Sequence, residues 1–286
     1  MDNLVGDCPE VSVVIPVSGD TWTLRQMLAN IRQLSAAVEA VLVCPTGVRM
    51  AVQPEVEAWV RLLETAPFRS YDEARAVGAR HARGKILLFT DETVLLSTQW
   101  MQKYLAALQD GAALAVTVLP TSEAAQKKLQ GRQSAYRLLN HLLGHAELGE
   151  GTMSRVPYAC TRSALSVLGW ETLMTPPLAF AKAAWKKLPI AGVTAQPAIQ
   201  RNLRARSSLV KRTRHILREH AQAMQWLIQA IGERGGLSDG ERHRALLLVP
   251  GHLHLRSVYY QQPREDTGGK RGGKRKKKQT GYGKKR

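Results

Sequence analysis

Aromatic, cysteine and acidic residues are all scarce in this chain. Phe, Trp and Tyr make up 6% of it, with three Phe in 286 residues. Tyr282 is the one aromatic side chain in the most basic stretch. A platform for stacking nucleobases needs several along a groove, so none is indicated there. The three cysteines, Cys8, Cys44 and Cys160, are widely separated. Neither a disulfide framework nor a zinc knot can be built from that spacing, and reduced thiols are expected. No apolar stretch approaches the ~20 residues that span a bilayer. The opening MDNLVGDCPE has no hydrophobic signal region. Together these lead to the expectation of a soluble protein of the cytoplasm.

Acid is outnumbered by base, 23 Asp/Glu against 41 Lys/Arg, for a net charge of +18. The excess is uneven. Eleven Lys/Arg against Glu265 and Asp266 lie between Arg264 and Arg286, so a short Gly/Lys tail carries half of it. Such a segment is expected to be disordered. It is suited to an anionic polymer or an acidic membrane surface, where each Lys/Arg contributes on the order of 1 kcal/mol. His141 and His145 have the spacing of a helical metal pair, but Leu142, Leu143 and Gly144 lie between them where an HExxH motif needs Glu. His252 and His254 alternate without a visible third ligand, and neither pair indicates a metal site.

What is present is alternation. Apolar residues make up 44% of the chain, enough for a sizeable core. VSVVIPV (11–17), VEAVLVCPTG (38–47), GKILLFTDETVLL (84–96) and ALAVTVLP read as buried strands. Helices are predicted over TWTLRQMLANIRQL, PEVEAWVRLLETA (54–66), DEARAVGARHARG (72–84) and STQWMQKYLAALQ (97–109). Strands alternating with helices of this length predict βαβ units and a mostly parallel sheet. A short strand or turn and then a helix are expected over 156–170, and helices over 177–188 and 207–231. The expected organisation is an α/β domain over 10–200, a basic and mainly helical extension over 201–262, and the tail, 263–286.

GKILLFTDETVLL poses the functional question, because a buried strand ends there in Asp91-Glu92. In parallel sheets ligands bind beyond the carboxyl ends of the strands. An acidic pair at such a tip is either a solvated strand end or a ligand site. The stretch in front of it favours a site for Asp91. VSVVIPVSG, EAVLVCPTG and EARAVGARHARGKILLFTDET resemble, in order, the first strand, the second strand and the Ala-Arg-Asn-x-Gly helix with its Asp-x-Asp strand tip in family 2 glycosyltransferases, which have the GT-A fold. PYACTRSALSVLGW and QPA (196–198) resemble that family's acceptor-side segments more faintly.

The resemblance implies a GT-A-like (Rossmann-like) sheet and an enzyme of hexosyltransferase type that binds a nucleotide sugar. It implies donor contacts from Pro16, Arg75 and Asp91, and a divalent metal, Mg or Mn, on Asp91 and Glu92. A cation or Arg beside the donor diphosphate stabilises the charge released when the glycosidic bond breaks. The sequence departs from the family at three places. Cys44-Pro45 stands where an acidic residue reads the base. Thr93 stands at the second acidic position of the tip, with Glu92 before it. Pro176-Pro177 stands where a Glu-Asp pair carries the catalytic base, and a proline cannot accept a proton. Glu171 is the nearest alternative carboxylate. Losing the base and a tip carboxylate together also fits a catalytically impaired binding or scaffold protein, and the tail fits an anion-binding adaptor.

Overall fold

Runs of β-branched and aliphatic residues build the centre of the molecule. In the computed structural model, which describes residues 8–18, 22–35, 37–48, 58–119, 131–196 and 210–232, seven strands form one sheet: β1 (Val11–Pro16), β2 (Val38–Pro45), β3 (Val60–Thr65), β4 (Ile86–Phe89), β5 (Leu114–Val118), β6 (Tyr158–Thr161) and β7 (Ile190–Thr194). Their order is β3-β2-β1-β4-β6-β5-β7. All neighbours are parallel except β6, which runs against both β4 and β5. The described residues belong to one compact unit, 1–237; a second unit, 238–286, lies outside them. The basic tail and the 241–262 segment therefore lie outside the described residues. Among these residues no helix is long and apolar enough to cross a membrane.

Side chains alternate between the two faces of the sheet. Ile86 and Leu88 join Val11, Val13 and Ile15 in one core layer, under α1 (Trp22–Arg32) and α3 (Thr98–Gln109). Leu87 and Phe89 face the other way. That second layer is covered by α2 (Tyr71–His81), α4 (Gly131–Leu142), α5 (Arg162–Leu168), α6 (Pro176–Trp185) and α7 (Val210–Ile231).

Two glycines permit this packing. A Cβ on Gly78 would lie 2.4 Å from Val14 Cγ1, so α2 sits directly on β1. A Cβ on Gly84 would lie 2.5 Å from the Ser12 backbone nitrogen. The α2 helix stops earlier, at His81 with Ala82 as its C-cap. Gly84 thus serves close chain approach rather than the helix end expected of it.

Residues 54–66 depart from expectation. Their described part contains no helix; Val60–Thr65 is the edge strand β3, paired in parallel with β2 from Ala40↔Val60 to Pro45↔Thr65. Trp59, Val60, Leu62 and Leu63 fit a helical stripe, but the open edge of β2 offers a ladder that local periodicity cannot register. The last strand is likewise Ile190–Thr194, ending before Gln196 and the QPA segment. The predicted helix over 207–231 is observed as Val210–Ile231 and packs on α4 and α6.

Candidate functional site

The carboxyl ends of β1 and β4 meet the amino end of α2. Strand β4 stops at Phe89, and residues 91–94 turn, with Val94 N–H donating to Asp91 O at 3.2 Å. The turn changes the geometry expected for an extended tip, because both Asp91 and Glu92 become buried, 6% and 3% exposed, while Thr93 is exposed. Asp91 Oδ1 accepts from Thr93 N (2.9 Å) and Thr93 Oγ1 (2.5 Å). Its Oδ2 lies 3.8 Å from Arg75 Nη2.

Arg75 comes from the first turns of α2, where Ser70 caps the helix by accepting from Glu73 N. Its Nη1 donates to Asp72 Oδ1 at 2.6 Å. Among the described residues its Nε has no hydrogen-bond partner, and neither do the buried hydroxyls of Tyr158 and Thr90. Tyr158 stacks on Phe89 with ring centroids 4.7 Å apart. Its phenol pKa is pushed up by burial, and Arg75 opposes part of that rise.

Glu92 points elsewhere. Its carboxylate accepts from Ser18 N (3.0 Å to each oxygen), from Ser18 Oγ and from Tyr71 Oη (2.7 Å). Burial, then the negative charges of Glu92 and Asp91, raises the Tyr71 phenol pKa. The two tip carboxylates are thus engaged by different partners. Among the described residues no three His, Cys, Asp or Glu side chains converge as a metal site. As arranged, Asp91 and Glu92 do not fit a shared divalent cation.

Pro16 ends β1 opposite Val43 and is buried. Cys44 is buried in the core layer under α1 and α3. Pro176 and Pro177 open α6, whose amino end faces the same end of the sheet as Asp91 because α6 leads back to the start of β7. Glu171 is exposed in a short 3-10 turn, Trp170–Met174. Arg80 and Arg83 are exposed, with Arg80 5.1 Å over the Trp170 ring and Arg83 bound to buried Glu39. His141 is exposed and His145 contacts Glu147 at 2.9 Å.

Sequence reasoning missed several neighbours of the site. Ser18, Tyr71 and Asp72 are brought to it by the sheet and by α2. Glu219 of α7 is 7% exposed, with Oε1 3.2 Å from His215 Nε2. Burial, and then the charge of Asp72, pushes its pKa up to about 7. Glu150 is buried between Arg137 and Arg155, 3.9 Å from each, on the segment entering β6. Hydrophobic periodicity signals none of these. The separate cavity of about 250 Å³ lined by Glu10, Val11, Leu34 and Gln102 lies at the start of β1, the opposite end of the strands.

No protein-family model matches the chain, and no curated protein sequence does. Solved structures do match. Glucosyl-3-phosphoglycerate synthase from Mycobacterium tuberculosis in complex with UDP aligns at TM-score 0.51 and 16% identity, over 81% of this chain and 82% of that one. Another structure of that synthase aligns at TM-score 0.50 and 18% identity, with the same coverage. The fold is GT-A. A further structure, of a mycobacterial protein, aligns at TM-score 0.52 and 17% identity over 81% of this chain and 76% of that one. In the GT-A frame, Asp91 occupies the carboxyl tip of the central strand β4, and the reversed strand β6 brings Tyr158 beside it.

Proposed function

We propose that this GT-A chain binds a nucleotide sugar between β1, β4 and α2 and transfers the sugar to an acceptor hydroxyl, as a glycosyltransferase of hexosyltransferase type. The observation that carries the reading is the buried Asp91–Arg75 pair at the strand tip. A guanidinium that is 6% exposed, with Nε unpartnered among the described residues, has donor capacity in reserve for a phosphate. Asp91 supplies an acceptor for a ribose or sugar hydroxyl, and Pro16 shapes the end of β1 beneath them. Positive charge fixed beside the diphosphate favours its departure. No step is assigned to a metal, because Asp91 and Glu92 are turned to different partners.

Calorimetric titration with UDP-, GDP- and dTDP-sugars, with and without Mn²⁺, tests the donor site. Binding of at least one is expected, with Asp91→Ala weakening it about tenfold or more. Binding of none would remove the proposal. Pro176-Pro177 in place of an acidic pair supports a second reading, a binding or scaffold protein that holds the donor without reacting it. In that case bound donor stays intact in the presence of the protein, neither hydrolysed nor transferred. The basic tail adds a partner of opposite charge, an anionic polymer or an acidic membrane surface, that would hold the domain near its acceptor.

A further inference from the structure

The donor reading above uses Asp91 from the tip of β4 and Arg75 from α2, and those two elements have to be held in register. We infer that Glu92 is the positioning residue of this site, a three-way staple that sets the donor pocket, and is not a ligand for the divalent metal that the resemblance implies. The inference rests on the donor reading and explains how its two buried groups are kept facing each other.

One carboxylate oxygen gathers the staple. Glu92 Oε1 accepts from Ser18 N at 3.0 Å, from Ser18 Oγ, and from Tyr71 Oη at 2.7 Å. The two hydroxyl oxygens lie 3.2 Å apart, so the three side chains close a triangle. Each corner comes from a different part of the rim. Ser18 is two residues beyond the end of β1 at Pro16, and Val17 N–H before it still donates to Val43 O of β2 at 2.8 Å. Glu92 lies in the turn after β4. Tyr71 opens α2, one turn before Arg75 and on the same face of the helix. The Phe68 ring packs edge-on against Tyr71, with centroids 5.8 Å apart, and braces the phenol. Glu92 is 3% exposed, and hydrogen bonds to a carboxylate gain strength away from water.

The setting of the guanidinium follows. Arg75 Nη1 is held by Asp72 at 2.6 Å, and Nη2 lies 3.8 Å from Asp91 Oδ2. Asp72 is the chain neighbour of Tyr71, and Asp91 that of Glu92. Because α2 moves as one element, drawing Tyr71 away from Glu92 also draws Arg75 away from Asp91. The donor set argues against a cation on the same oxygen. A hard cation binds carboxylate lone pairs that face it, whereas the backbone N–H of Ser18 points its own partial positive charge at Oε1.

Calorimetric titration of the full chain with UDP-, GDP- and dTDP-sugars, in EDTA and in Mn²⁺, is the test. Glu92→Gln keeps an amide oxygen for all three donors and removes a negative charge near the diphosphate. It should bind donor as tightly as wild type or more tightly, in EDTA and in Mn²⁺ alike. Glu92→Ala cuts the staple and should weaken binding about fivefold or more. In an Arg75→Met background the same change should cost less than about twofold, because its effect passes through the guanidinium. Tyr71→Phe keeps the ring on Phe68, leaves the buried carboxylate in place, and should weaken binding about threefold. Three results would each overturn the inference and leave donor binding standing. They are loss of Mn²⁺-dependent affinity in Glu92→Gln, losses that add in full in the Arg75→Met background, and wild-type affinity in both Glu92→Ala and Tyr71→Phe. A wild type that binds none of these donors would instead bring down the donor reading, and this inference with it.

Discussion

At the scale of single residues, two neighbours on α7 tie stability to pH with opposite signs. His220 is 1% exposed, donates from Nδ1 to Ile216 O at 2.8 Å, and has its pKa lowered by burial to about 4. Its unfolded value is about 6.5, so the folded state favours the neutral ring. That contribution is fully present above pH 6.5 and is lost as pH falls through 4, for a total of about 3 kcal/mol. Replacing it with Phe should flatten the decline of urea stability between pH 6.5 and 4. Glu219 works the other way. Its folded pKa is raised, so its contribution is full below about 4.5 and disappears as pH rises through about 7. Glu219→Gln should therefore be more stable than the wild type at pH 8, measured by thermal melting.

At the scale of elements, the crossing of α2 over β1 depends on absent side chains. Gly84→Ala places a methyl group 2.5 Å from the Ser12 nitrogen and 2.6 Å from its hydroxyl. Backbone cannot yield there, and the same hydroxyl both accepts from Gly84 N and donates to Glu39. The substitution should cost about 2–3 kcal/mol in chemical denaturation. Gly111→Ala, with φ +102 and nothing within 4 Å of its Cβ, should cost about 1 kcal/mol from backbone strain alone. How far each element could be read from the sequence has the same physical basis. Strands β1, β2 and β4 are buried on both faces, so their apolar runs announce them. Strand β3 has a half-buried edge character, and its residues satisfy a helical stripe equally well until β2 is present to pair with. Asp91 and Arg75 were legible because motif order ties them to a strand tip and a helix start. Ser18, Tyr71 and Asp72 were not, because tertiary packing alone brings them to Glu92 and Arg75, and hydroxyls and lone carboxylates leave no periodic trace.

At the scale of the whole molecule, charge separates from fold. The domain matches its buried carboxylates internally, as Glu39 with the exposed Arg83 and Glu150 with the buried Arg155. Half of the +18 excess lies beyond residue 263. Deleting 264–286 should leave donor affinity unchanged. It should abolish retention on anionic vesicles or polyanions at low salt, and the intact chain should lose that retention steeply as salt rises. Retention that survives the deletion would shift the interaction to the basic residues of the folded part.

The reversed direction of β6 has an evolutionary consequence. Strands β1 and β4 meet the rim where they finish, whereas β6 meets it where it begins, and the stretch that enters it is held from several sides: Asn140 Nδ2 donates to Gly149 O and Gly151 O, Glu150 lies between Arg137 and Arg155, and Thr152 bridges Thr117 of β5. Grafting this stretch from another protein of the same architecture without its partners Arg137, Asn140 and Thr117 should therefore lower the thermal midpoint. Change on this side of the rim is then expected in coupled sets of residues, one on the entering stretch and one on the helix or strand that holds it.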